Sequence, residues 1–173
     1  MPSCTASCSP CVQGPTGSRP PSLICRDGWR TSNSRVPNPW VALATRPHLN
    51  LLRAPIAEPG RYYADLATIV LRTGLLLCEE RRHLWHELVH ADRQDRACES
   101  SARVERSVDR EAARRALPLS SLLWAFGTAA THAEVVEMLK LPADWIQFRL
   151  RTAHPAEKAA VRRSVDTRDE GVA

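Results

Sequence analysis

No apolar run in the 173 residues approaches the ~18 needed to cross a membrane. The first residues lack the basic start and apolar stretch of a secretory signal, so a cytoplasmic location is the default expectation. Nor is there a dominant basic block. The net charge is +5 and the pI about 9.1, but many basic residues neighbour acids, as in Glu79-Glu80-Arg81-Arg82 and Asp109-Arg110-Glu111. That pattern favours a mixed, solvated helix face over a nucleic-acid surface. Aromatic side chains make up 5% and tyrosines number two, Tyr62 and Tyr63, so a tyrosine can act from only one place in the chain.

Six cysteines are present, four of them in the first 25 residues. Disulfides are not expected in a cytosolic chain. Cys8 and Cys11 have the spacing of a zinc knuckle, which Cys4 and Cys25 could complete. The surrounding Ser, Pro, Gly and Thr leave little to pack around a metal, so a disordered, low-complexity tail over residues 1–36 is the favoured reading. The length suits one domain with a tail. Order is expected from a short helix capped by Asn38, with Pro39 at its first position. Strands are expected at 48–53, 61–65 and 67–71, with a turn over 55–60.

His86-Glu87-Leu88-Val89-His90 then forms an H-E-x-x-H run on a helix expected over 78–93. Residues i and i+4 share a helix face, so His86 and His90 can point two imidazoles at one divalent ion. Glu87, beside them, can reach a water there as general base. Zinc suits imidazole donors and in catalytic sites takes three protein ligands. The third is expected from a helix over 104–117. Asp109, Glu111 and Glu105 are the candidates, and periodicity favours Asp109, which shares a stripe with Ala112 and Ala116. His83 reads as a surface or supporting histidine; His48, His132 and His154 read as structural. The last strand, 67–71, is the expected edge for pairing with an extended substrate.

Further helices are expected over 119–126, 131–139, 144–152 and 155–165, with a frayed end over 166–173. The pair 133–139 and 144–151 has helix-turn-helix spacing, with Lys140, Arg149 and Arg151 as possible phosphate contacts. By helical phase Arg149 falls inside the apolar arc and is expected to snorkel along the core edge. DNA binding through this pair, with a degenerate peptidase site, is the alternative reading and is not favoured.

Several stretches resemble the ImmA/IrrE metallopeptidases: Asn38-Pro39-Trp40, Thr68-Ile69-Val70-Leu71, the run from Glu80 to His90, Val108 to Ala116, and His154-Pro155-Ala156-Glu157. The resemblance covers about 38–163 and is greatest to the actinobacterial and phage branch. It implies an α+β, zincin-like core over 37–128, a three-stranded sheet on helices, and a helical extension over 129–165. It also implies zinc held by His86, His90 and Asp109, although the family has Glu where Asp109 stands. The implied activity is endopeptidase cleavage of a helix-turn-helix repressor, releasing phage, mobile-element or stress genes.

Overall fold

The structure is a computed structural model describing residues 35–95 and 101–170. The cysteines at 4, 8, 11, 25 and 98 lie outside the described residues, and Cys78 is a free thiol. The fold is α+β: among the described residues, seven helices and a small mixed sheet. Helix α1 spans Pro39–Ala44, and the Asn38 side chain accepts from the Trp40 N–H at 3.0 Å, as a cap should. The folded unit already includes Val36, which is buried, and Arg35, whose carbonyl accepts from the Ser121 hydroxyl.

Strands β1 (Asn50–Ala54), β2 (Gly60–Tyr63) and β3 (Thr68–Arg72) pair in the order β1-β3-β2. β1 runs parallel to β3 and β2 antiparallel to it. The expectation that the 67–71 segment forms the sheet edge is therefore corrected. Both sides of β3 are occupied by partner strands, and β1 and β2 are the edges. The strand reading also shifts at its ends. His48 and Leu49 precede β1, Gly60 joins β2 instead of the turn, and residues 64–66 close into a 3-10 turn. That turn ends at Ala67 in the left-handed region, φ 45°.

Helix α2, Leu77–Arg93, carries the H-E-x-x-H run across the core. Leu84, Leu88 and Val89 are fully buried against Ile69 and Leu71 of the sheet and the residues of α3, Ala102–Ala116. Ala112, Ala113 and Ala116 have no exposed surface. Their small side chains let α3 lie close along α2, as the alanine stripe predicts. Helices α4 (Leu119–Thr128), α5 (His132–Leu139), α6 (Ala143–Thr152) and α7 (Pro155–Glu170) follow. Val135, Leu139, Trp145, Ile146 and Val161 belong to the same hydrophobic cluster as α2 and the sheet. α7 continues to Glu170, so helix replaces the frayed segment expected from residue 166 as far as the described chain extends. No helix among the described residues is long and apolar enough to cross a membrane.

Arg149 differs from its expected place at the core edge. It is 2% exposed, and its Nε donates to the Leu117 carbonyl at 3.0 Å. Its two terminal nitrogens hold both oxygens of Glu157, at 3.1 and 2.7 Å. A buried guanidinium is tolerable only when paired in this way, and Glu157 supplies the charge from the first turn of α7. Arg149 is therefore not presented to a DNA phosphate, which removes one of the three contacts of the DNA-binding reading.

Candidate metal centre

The two histidines occupy one face of α2, and both expose Nε2 toward the same point. Their Nε2 atoms are 3.0 Å apart. The orientation is set from behind. The Nδ1 of His86 lies 2.9 Å from Asp109 Oδ1, and that of His90 lies 3.0 Å from Asp95 Oδ2. A carboxylate at Nδ1 holds the proton there and leaves Nε2 as a bare donor atom, the arrangement that fixes metal-binding imidazoles.

Asp95 reaches His90 because of how α2 ends. Gln94 adopts φ 56°, in the left-handed region, and the Gln94 and Asp95 N–H groups both return to the last turn, with Asp95 donating to the His90 carbonyl at 3.0 Å. The reversed chain places Asp95 beside the His90 ring. The sequence reading missed Asp95. A short acid just past the helix end, five residues after His90, is the signal that could have found it.

The third donor comes from the first turn of α3. Glu105 Oε2 lies 3.2 Å from His86 Nε2 and 3.5 Å from His90 Nε2. One ligand atom from each of His86, His90 and Glu105 falls within 4.8 Å of the others. Two donors 2.0–2.1 Å from a tetrahedral ion stand roughly 3.3 Å apart, and the triangle matches that size. Asp109, favoured from periodicity, is close to the site but touches His86 on the opposite ring nitrogen. Glu105 and Asp109 are one helical turn apart, so α3 applies the first to the metal-facing side of the imidazoles and the second to their rear. Glu111 points elsewhere and pairs with Arg93 and Arg115.

Two imidazole nitrogens and a carboxylate oxygen converging at this distance could hold a metal ion, and they are the donor set of a borderline divalent one. The chain matches no family model, no curated protein and no solved structure.

Glu87 lies beside the triangle and is 5% exposed. Burial pushes its carboxyl up to about 7, against the lowering influence of His86 and of the Tyr62 backbone N–H. The Tyr62 contact follows from strand register. The Arg72 N–H donates to the Pro59 carbonyl at 2.9 Å. In an antiparallel ladder, Arg61 then turns its backbone groups toward Val70, while Gly60 and Tyr62 turn theirs outward. A side chain at Gly60 would also crowd the site. A Cβ there would stand 3.0 Å from Glu87 Oε1 and 3.2 Å from Leu71 Cδ2. Sequence reading placed Gly60 in a turn and gave it no part in the site.

Two clefts open on either side of His86 and Glu87. The first, about 220 Å³, is bounded by Arg61 and Tyr62 of β2, His90, Asp95 and Glu105. The second, about 210 Å³, is bounded by Arg82, His83, Asp109 and Trp145. His86 itself is held above its ordinary pKa: burial lowers it, but the Asp109 hydrogen bond and the neighbouring carboxylates outweigh burial. For Asp109 the balance has the opposite sense. Burial raises its pKa, and the His86 contact brings it below the usual value. His83 is pushed down to about 4 by burial and by the charges of Arg82 and His86, so it is neutral at neutral pH. His48, His132 and His154 are exposed and line neither cleft. His154 Nδ1 accepts from the Ala156 N–H at the start of α7.

Proposed function

We propose that the protein is a zinc-dependent endopeptidase with a minimal zincin-like core, as its resemblance to the ImmA/IrrE metallopeptidases suggests. The observation that carries the reading is the convergence of His86 Nε2, His90 Nε2 and Glu105 Oε2 beside a buried carboxylate, Glu87. His86, His90 and Glu105 would hold the ion. Bound there, zinc would supply a Lewis-acidic charge that acidifies water and polarises a peptide carbonyl.

The chain's own groups account for the remaining steps. Asp109 and Asp95 keep both Nδ1 protons in place and both Nε2 atoms free. Glu87 takes a proton from the attacking water and returns it to the departing amine. Its carboxyl, with a pKa of about 7, is suited to both transfers near neutral pH. The outer edge of β2 adjoins Glu87; with the Tyr62 N–H given to Glu87, the outward groups of Gly60 and the Tyr62 carbonyl can align an extended substrate backbone by strand addition.

The proposed substrate is a helix-turn-helix repressor encoded beside this chain, cut to release the genes it silences. Mixing the purified chain, zinc and that repressor should yield discrete fragments. Glu87→Gln should abolish them while leaving zinc bound. Continued cutting by Glu87→Gln would overturn the mechanism, and an intact repressor with the wild-type chain would overturn the substrate.

A further inference from the structure

The turn of α3 that carries Glu105 is held only weakly by burial. The buried residues of that helix are Val108, Ala112, Ala113 and Ala116, all beyond Glu105, and Val104 is only partly buried against the core. A glutamate on such a turn must be ordered before its carboxylate can meet two imidazoles, and that ordering costs entropy. Donors already fixed in place bind more tightly because the cost is met in advance.

The group that fixes this turn is polar. Arg93 is the last residue of α2. Its Nε donates to Glu111 Oε2 at 3.1 Å. One of its terminal nitrogens pairs with the same oxygen and reaches the Ser107 hydroxyl at 3.2 Å. Ser107 and Glu111 stand at i and i+4, on one face of α3. Glu111 is braced from its other oxygen by Arg115, which also pairs with Asp92. The Arg93 clasp lies close to both parts of the site. Arg93 comes two residues before Asp95, which orients His90, and Ser107 comes two residues after Glu105, the carboxylate of the donor triangle. The other polar contacts from α2 to this part of α3 are those of His86 and His90 with Glu105 and Asp109. Among the described residues, Arg93 is therefore the α2 side chain that holds the turn without being part of the triangle.

We propose that Arg93 is a positioning residue of the metal centre: by gripping Ser107 and Glu111 it sets the register of α3 against α2 at which Glu105 meets His86 and His90. The inference rests on the metal-binding reading of that triangle. The test is zinc affinity of the full chain by competition with a chromophoric chelator, beside urea melts of the zinc-free proteins. Arg93→Met, which keeps the apolar stem and removes the guanidinium, should weaken zinc binding about tenfold, the lower end of the range for losing a group that orients a ligand. Arg115→Met takes an ion pair from the same network but leaves Arg93 on Ser107, and its zinc affinity should match wild type whatever it costs in stability. Ser107→Ala should weaken zinc binding in the same direction as Arg93→Met and gives a second readout if that variant unfolds. Wild-type zinc affinity in Arg93→Met, or in Ser107→Ala where Arg93→Met does not fold, would overturn the positioning role. So would a loss in Arg115→Met as large as in Arg93→Met, which would make the effect one of general stability. A wild-type chain that binds no zinc would overturn the metal centre beneath it.

Discussion

Replacing each of the two α3 carboxylates by its amide separates their roles. Glu105 Oε2 faces both Nε2 atoms at 3.2 and 3.5 Å, whereas Asp109 Oδ1 meets only the rear nitrogen of His86 at 2.9 Å. Asp109→Asn leaves the donor triangle complete but weakens the hold on one ring. Losing such an outer partner costs about 10–100-fold in metal affinity. Glu105→Gln removes a charged donor from the triangle itself, so its loss should exceed that range. Competition with a chromophoric zinc chelator measures both affinities, and circular dichroism confirms that each variant is folded. The refuting result is the reverse order, with Asp109→Asn losing more zinc affinity than Glu105→Gln. Asp109 would then be a ligand, as periodicity alone suggested.

Three further outcomes follow from the geometry. Gly60→Ala should lower peptidase activity by shifting Glu87, by less than the ~10²-fold that a full 1 Å misplacement costs, while leaving zinc affinity near wild type, because the new Cβ meets Glu87 and Leu71 but no metal donor; a kcat measurement beside the chelator titration reads the split. Glu157→Gln should destabilise by about 1–3 kcal/mol at pH 7, since it leaves buried Arg149 without its counter-charge. Arg149 holds the Glu157 carboxyl below its ordinary 4.5, so this stabilisation is complete above that value and fades as the pH falls through the lower, folded-state value. Urea melts of both proteins from pH 7 to 3 should therefore converge at the acid end. Leu88→Ala, at a fully buried position beneath the site, should cost about 2–5 kcal/mol by the same assay.

Local pattern carried the histidines and Glu87, because the i, i+4 spacing on an apolar-flanked helix determines which side chains share a face. It also brought α3 to the site through the alanine stripe. Pattern favoured Asp109 through its stripe with Ala112 and Ala116, but residues four apart share that face equally, so it gave no ground to set Glu105 aside. The choice depends on which imidazole nitrogen each carboxylate reaches, and rotamers determine that. The position of β3 was hidden for a different reason: strand order is decided by pairing between distant segments, and a β-branched run such as Thr68-Ile69-Val70 reads alike at an edge or a centre. Helical phase did put Arg149 inside the apolar arc. What it could not supply was Glu157, across the break at Ala153, whose charge allows the guanidinium to be fully buried instead of snorkelling.

Zinc X-ray absorption on the purified full chain tests the metal centre most directly. The account predicts one zinc per chain, bound by two imidazoles and oxygen donors with no sulfur, and loss of that spectrum in a His86→Ala, His90→Ala double variant. A sulfur shell, or zinc retained unchanged by the double variant, would contradict it.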